Sequence, residues 1–264
     1  MELIHPLPHL FQAGFIFMIG LAVGSFANVC IYRIPKGESI VFPASHCPSC
    51  NQPIPARDNI PVLSFLLLGG RCRFCKTTIG RIYPVIEILT AVLITSGFLR
   101  LGPTPEFVIF MVLGPALVII TAIDLQHKII PNLITLPGIL FGLAGGIYLE
   151  GVTSSLIGLV LGSGIFLIIG EVYFRIRGDE GMGMGDVKYI AGAGALLGWQ
   201  KILLVIFIGA LLGSIVGVAG MVEKKLNYMS QIPFGPFLAA GTLIAFFWGD
   251  QLIHLYLAAA SGRY

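Results

Sequence analysis

Long apolar stretches, each near the length that crosses a lipid bilayer, dominate this sequence. A membrane-spanning helix needs about 20 mostly apolar residues, and eight stretches reach or approach that length. They cover residues 10–32, 83–101, 106–123, 129–149, 153–174, 187–199, 201–222 and 233–258. The sixth is short, and its glycines and alanines favour close helix packing, so it is either a half-span or part of a neighbouring helix. The sequence predicts an all-α polytopic membrane protein with about eight transmembrane helices.

The composition excludes several other classes of protein. Hydrophobic residues make up 56% of the 264 residues and charged residues only 11%, against a usual charged fraction of about 25%. A disordered chain, a nucleic-acid-binding domain or an ordinary soluble enzyme could not solvate so much apolar surface. The first stretch has no Lys or Arg before Leu10 and continues to Tyr32. We therefore interpret it as a retained helix and not as a cleavable signal peptide.

The positions of the basic residues predict the orientation of the chain. With the N-terminus outside and eight spans, only Arg100, Lys201 and Arg263 of the 16 Lys and Arg residues fall on the outer side. The inner segments hold the others, including Lys224 and Lys225. Because basic loops remain cytoplasmic, we expect both termini to be periplasmic and residues 33–82 to be cytoplasmic.

Residues 33–82 form the one large polar segment, and they carry four of the five cysteines. Cys47 and Cys50 form one C-x-x-C pair, Cys72 and Cys75 form another, and 21 residues separate the pairs. Two such pairs indicate a structural zinc site with four thiolate ligands, which leaves no open coordination position for catalysis. A redox C-x-x-C pair lacks its usual βαβ context here, and unliganded cysteines in a flexible loop are the other alternative. His46 could replace one cysteine, but four cysteines already complete the ligand set.

Two aspartates stand at apolar stretches where a charge is costly. Asp124 ends the third stretch, and Asp186 follows the glycine-rich run 181–185 and opens the sixth. Both map to the cytoplasmic membrane edge and could meet despite 62 positions of separation. Two carboxylates that share a site can share a proton, so one can activate water while the other protonates a leaving amine. The pair therefore predicts an aspartyl peptidase dyad.

Simpler readings of the carboxylates remain open at this point. Asp124 could pair with Lys128 or cap the next helix, and Asp186 could be a helix N-cap. Glu87 is expected to be paired or at a membrane edge, and Glu171 is placed to pair with Arg175 four residues later.

Other function classes also remain open. A transporter could use the two aspartates as ion sites, although carboxylates nearer mid-membrane and paired broken helices would be more typical. A membrane-anchored zinc module that recruits a partner would not need the glycines beside Asp186.

Several short motifs together resemble one family, the bacterial type IV prepilin peptidases, also called leader peptidase/N-methyltransferases. The motifs run in order over nearly the whole chain: GSFANVCIYRIP at 24–35, PASHCPSC at 43–50, GRCRFC at 70–75, RIYPVIE at 81–87, IPNLITLPG at 130–138, GMGDVK at 183–188 and PFGP at 233–236. The family's catalytic aspartates fall on Asp124 and Asp186, and its zinc cysteines fall on the four named above. Asn132 stands where many members have Asp.

The resemblance implies a bifunctional enzyme of the bacterial inner membrane. It implies cleavage of the basic leader of type IV prepilins and type II secretion pseudopilins after a glycine, then methylation of the new N-terminus with S-adenosylmethionine. The family associates methylation with the part that falls on residues 24–87, although a peptidase-only relative remains an alternative. We expect a first helix at 1–32, a zinc-binding loop at 33–82 and a peptidase core at 83–264. The cofactor site is not predicted residue by residue, and no G-x-G-x-x-G motif follows a strand. Expected partners are prepilin substrates and membrane lipid, without nucleic acid.

Overall fold

The computed structural model of the protein describes residues 6–179, 181–223 and 232–261, with side chains from residue 10 onward. Within these ranges the chain is helical and contains no β-strand. Seven of the described helices are long and apolar enough to cross a membrane. This confirms the predicted all-α polytopic membrane fold. Lys224, Lys225 and Arg263, which entered the orientation argument, lie outside the described residues.

The helices follow the predicted stretches closely. They are α1 Pro6–Arg33, α2 Leu63–Leu67, α3 Ile82–Leu101, α4 Pro105–His127, α5 Asn132–Glu150, α6 Val152–Arg177, α7 Met184–Val222 and α8 Gly235–Ala260. Three of them stop at glycines with positive φ, namely Gly102, Gly151 and Gly178. Glycine tolerates that backbone conformation without a steric penalty, so it is well suited to end a helix.

Helix α7 is broken at Gly198, where φ is 77° and ψ is 174°. The break separates the two predicted stretches 187–199 and 201–222, so seven helices of spanning length contain eight helical segments. The first segment, residues 184–197, is about 21 Å long at 1.5 Å per residue, which is shorter than a bilayer core of about 30 Å. Near the break, the Ser155 hydroxyl of α6 donates a hydrogen bond of 2.6 Å to the Ala195 carbonyl.

The first compact unit comprises residues 1–119. In it α1 packs along α3, and small residues allow the two backbones to approach closely. A Cβ atom on Gly20 would lie 2.6 Å from Ala91 Cα, and one on Gly24 would lie 2.7 Å from Glu87 Cα. Residues 33–82 connect these two helices and carry the cysteines.

The second compact unit comprises residues 120–264. Its central element is α7, which packs against α5, α6 and α8. A Cβ on Gly142 would collide with the Gly192 carbonyl, and one on Gly158 would collide with the Gly194 carbonyl. Every residue from Tyr189 to Gly198 is buried, so the first segment of α7 is enclosed by its neighbours. The predicted functional division at residues 82 and 83 stays a prediction.

Candidate active site and metal centre

Asp124 lies in the last turn of α4 and is 5% exposed. Its Oδ2 atom accepts a 2.8 Å hydrogen bond from the backbone N–H of Gly235, the first residue of α8. An N–H in the first turn of a helix has no partner within that helix, so it is available to an external acceptor. No ion pair joins Asp124 to Lys128 among the described side chains. The salt-bridge reading of Asp124 is therefore wrong.

Asp186 is the third residue of α7 and is half-buried. The N-cap position belongs to Gly183, and no side chain caps this helix start. The N-cap reading of Asp186 is therefore wrong. Asp124 is close enough to Asp186 for the two carboxylates to interact electrostatically. Both predicted aspartates thus lie in the second unit, and the fold brings them together.

Two glycines lie against this pair of carboxylates, and a third lies against Ile130. A Cβ on Gly183 would lie 2.9 Å from Asp186 Oδ2, and one on Gly235 would lie 2.8 Å from Asp124 Oδ2. A Cβ on Gly185 would lie 2.8 Å from the Ile130 carbonyl oxygen. Each glycine therefore leaves space that a side chain would take from a carboxylate or from the backbone beside it.

Gly235 is a residue that the motif reading missed as part of the site. The only signal in the sequence was its place in the PFGP string, where the following Pro236 is typical of a helix start. That signal predicts where α8 begins, but it does not predict which side chain accepts a hydrogen bond from the first N–H of the helix.

Two further polar pairs lie on this unit. Lys188 Nζ donates a 2.8 Å hydrogen bond to Asn132 Oδ1, so the residue that departs from the family pattern contacts the lysine two positions after Asp186. Arg175 Nε lies 2.7 Å from Glu171 Oε1, which confirms the predicted pair of α6. Both residues of that ion pair are exposed. Substitutions of this pair can therefore serve as surface controls for substitutions of the buried carboxylates.

The four cysteines of the polar segment come together in space. Their Sγ atoms all lie within 4.8 Å of one another, and Cys47 Sγ lies 3.8 Å from Cys75 Sγ. All five cysteines of the chain are free thiols. A tetrahedral Zn–S distance of about 2.3 Å corresponds to a sulfur–sulfur distance of about 3.8 Å. The cluster can therefore hold a metal ion, and the chemistry of its donors fits zinc.

The two cysteine pairs lie in turns with the same backbone pattern. The Cys47 N–H donates to the Gln52 carbonyl, and the Cys72 N–H donates to the Thr77 carbonyl. The residue after each second cysteine has positive φ, 56° at Asn51 and 60° at Lys76. Equivalent residues are 25 positions apart. The sequence did not reveal this local repeat because, apart from the cysteines and the isoleucines at 54 and 79, the residues of the two turns differ.

Polar contacts hold the cysteine turns in place. Hydrogen bonds with Thr77 lower the pKa of the Cys75 thiol to about 6, which favours the thiolate that binds metals. Arg73, between the second pair of cysteines, donates two 2.6 Å hydrogen bonds to the Asp58 carboxylate. These hydrogen bonds lower the pKa of Asp58. His46 contacts the Ala44 carbonyl and is not part of the sulfur cluster.

Comparison with known proteins decides the family. The sequence model of the bacterial peptidase A24 N-terminal domain matches residues 18–101, and the model of the type IV leader peptidase family matches residues 111–218. A prepilin leader peptidase/N-methyltransferase of Aeromonas hydrophila is 36% identical over 97% of this chain and 97% of that protein. The chain belongs to the type IV leader peptidase family. This confirms the family identified from the motifs.

Other members of the family are similarly close. Proteins with the same name from Pseudomonas aeruginosa and Burkholderia pseudomallei are 34% and 33% identical, each over 92% of this chain, and the aligned parts cover 92% and 87% of those proteins. No solved structure matches the chain.

Proposed function

We propose that this chain is a prepilin leader peptidase and N-methyltransferase in which Asp124 and Asp186 form the peptidase dyad. The observation that supports this most directly is the pair of interacting carboxylates at the adjoining ends of α4 and α7. The names of the relatives and the match to the family support the same activity and agree with the predicted function.

The dyad performs the hydrolysis by general acid–base catalysis. One carboxylate removes a proton from a water molecule, which attacks the carbonyl carbon of the scissile peptide. The other carboxylate donates its proton to the leaving amine as the C–N bond breaks. Water gives one product the new carboxyl group, and the other product carries the new N-terminal amine.

The substrate is the N-terminal segment of a prepilin, and its cleavage requires local unwinding. A helical substrate has its scissile carbonyl in a hydrogen bond, so the segment opens at the glycine before the cut. The glycines at positions 183 and 235 bring the enzyme backbone into close contact with the carboxylates, because an added Cβ would lie 2.9 Å from Asp186 Oδ2 and 2.8 Å from Asp124 Oδ2.

The second activity modifies the amine that cleavage creates. When bound, S-adenosylmethionine would supply the methyl group that the new N-terminal amine accepts, and S-adenosylhomocysteine would be the other product.

The cysteine cluster binds a structural zinc ion through Cys47, Cys50, Cys72 and Cys75. Four protein ligands complete the tetrahedral coordination, so the metal holds the two turns together and takes no part in the chemistry.

The enzyme acts in the inner membrane, with residues 33–82 and the dyad at the cytoplasmic face. A Cβ on Gly162 would lie 3.0 Å from both the Ile190 carbonyl oxygen and the Ile202 side chain, so α7 turns back at Gly198 and its two segments make separate crossings. Eight crossings place both termini in the periplasm. The partners of the enzyme are type IV prepilins, type II secretion pseudopilins and membrane lipid.

The test uses the purified full-length protein in detergent, mixed with a prepilin and S-adenosylmethionine and analysed by intact mass. The expected product has lost its leader and gained the mass of one methyl group. Asp124→Asn and Asp186→Asn are expected to abolish cleavage, while Glu171→Gln, on the exposed face of α6, cleaves normally.

Substantial cleavage by either Asp→Asn variant would contradict the dyad. Cleavage in detergent, without an ion gradient, would also exclude a transporter as the primary activity. Loss of the leader without methylation would leave a peptidase alone.

A further inference from the structure

The first unit contains a large cavity that the peptidase chemistry does not use. Its volume is about 640 Å³, within the range of roughly 300–1,000 Å³ that holds small-molecule ligands. Helices α1 and α3 form part of its wall, and the segment between them, including both cysteine turns, forms the rest. All of the lining residues lie between positions 22 and 87, within one compact unit.

The Lys, Arg, Asp and Glu side chains that line the cavity differ in their partners. They are Arg33, Asp58, Arg73 and Glu87. Asp58 and Arg73 form a salt bridge of 2.6 Å with each other. Neither Arg33 nor Glu87 forms an ion pair with any described residue. The cavity wall thus contains one cation and one anion that the protein itself leaves without counter-ions.

Arg33 is 6% exposed and lies at the end of α1. Its guanidinium donates hydrogen bonds of 3.0 Å to the Ser39 carbonyl and 2.8 Å to the Pro43 carbonyl. A guanidinium has five N–H groups, so three remain for other acceptors. A guanidinium can bind a carboxylate in bidentate fashion.

Glu87 is 8% exposed and lies on α3. Its Oε2 atom accepts a 2.7 Å hydrogen bond from the backbone N–H of Val62. A carboxylate has about four acceptor positions, so capacity for further donors remains. A cationic group of a ligand would stabilise the charged form of this carboxylate.

Val62 strengthens the case for a functional site at this carboxylate. Its φ is 61°, a conformation that is a true outlier for a β-branched residue. Such strain is costly, and it concentrates at ligand and catalytic sites. The hydrogen bond to Glu87 helps to hold the strained residue at the edge of the cavity.

The charges of the cavity match one class of ligand. Buried charges without partners are costly, and a ligand with both a carboxylate and positive charge would compensate both of them. Aromatic side chains of Phe26, Phe65 and Tyr83 also line the cavity, and flat rings suit a nucleobase. An amino-acid zwitterion joined to a nucleoside combines these features.

We propose that this cavity binds S-adenosylmethionine, with Arg33 recognising the carboxylate of its amino-acid end and Glu87 its positive charge. The proposal rests on the methyltransferase part of the proposed function. It assigns the methyl donor to the first unit, apart from Asp124 and Asp186 in the second.

The test measures binding of radiolabelled S-adenosylmethionine to the full-length protein by equilibrium dialysis. Glu87→Gln keeps an acceptor for the Val62 N–H but removes the charge, and Arg33→Gln removes the other charge. Each is expected to raise the Kd at least tenfold. Their matched controls are Glu171→Gln and Arg175→Gln, which remove an exposed pair on α6 and should change the Kd less than twofold.

Binding by both cavity variants within twofold of wild type, or equal weakening in the controls, would overturn the proposal. If the variants fail to fold, ultraviolet crosslinking of the bound label in the wild-type protein decides the question. A label on peptides from residues 22–87 supports the cavity, and a label on residues 120–264 overturns it. Wild-type protein that cleaves prepilin but binds no donor would refute the methyltransferase itself, and that result is distinct from a donor bound elsewhere.

Discussion

Gly235→Ala tests how closely the start of α8 controls the Asp124 carboxylate. The substitution places a methyl group 2.8 Å from Asp124 Oδ2 and 3.2 Å from its Cγ. An unstrained carbon–oxygen contact is about 3.3 Å or longer, so the carboxylate has to move by about 0.5 Å. That movement also stretches the 2.8 Å hydrogen bond from the Gly235 N–H.

The size of the effect follows from these distances. A displacement of about 1 Å in a catalytic group can cost about a hundredfold in rate, and a hydrogen bond to a charged group contributes about 1.5–3 kcal/mol. We expect leader cleavage by Gly235→Ala to fall about 10- to 100-fold in kcat/KM, which corresponds to about 1.4–2.8 kcal/mol in the activation barrier.

The assay is leader cleavage of a purified prepilin in detergent, followed over time by intact mass. The matched control is Gly164→Ala on α6, where an added Cβ meets nothing within 4 Å. Thermal unfolding of both variants checks that the bundle remains intact. If Gly235→Ala cleaves within twofold of Gly164→Ala, the contact between α8 and Asp124 has no part in catalysis.

Three further predictions concern the rest of the molecule. Cys72→Ser is expected to lower bound zinc, measured by elemental analysis, and to increase proteolysis within residues 33–82, because metal ligation supplies folding energy to so small a module; normal zinc stoichiometry would contradict it. Gly158→Ala is expected to lower the stability of the second unit by about 1–3 kcal/mol through overpacking against α7, read as a lower Tm than that of Gly164→Ala; equal Tm values would argue against this packing. Asn132→Asp converts the hydrogen bond from Lys188 into an exposed ion pair worth about 0–1 kcal/mol, so leader cleavage should stay within twofold, and a larger change would give position 132 a role in the reaction.

The sequence predicts the helices well because the membrane imposes a simple rule on them. Each stretch must be apolar over about 20 residues, and the charges and glycines that interrupt the stretches lie close to the observed helix ends. The break at Gly198 was visible only as a short sixth stretch. Its nature depends on a backbone conformation, with φ of 77°, which hydropathy does not report.

The candidate sites were predictable to different degrees for a physical reason. The cysteine pairs and the two aspartates stand out because their residue types are rare in such an apolar chain. The Gly235 N–H is a backbone group, and its contact with Asp124 joins residues 111 positions apart. Glu87 was expected to be paired or at an edge, yet it is buried beside a cavity, where Val62 from another segment holds it. Contacts of this kind depend on the folded arrangement of distant segments and leave no local pattern.

The enclosed first segment of α7 makes the direction of the Asp186 carboxylate depend on the number of residues in that segment. Asp186 stands at one end of a helix of about four turns whose other end is fixed by the break at Gly198. Inserting one residue between them would turn Asp186 by about 100° around the helix axis and shift it by about 1.5 Å. Substitutions within the segment change its packing, but an insertion or a deletion would aim the carboxylate in another direction. The number of residues between Asp186 and Gly198 therefore decides where this carboxylate lies, whichever residues stand between the two ends.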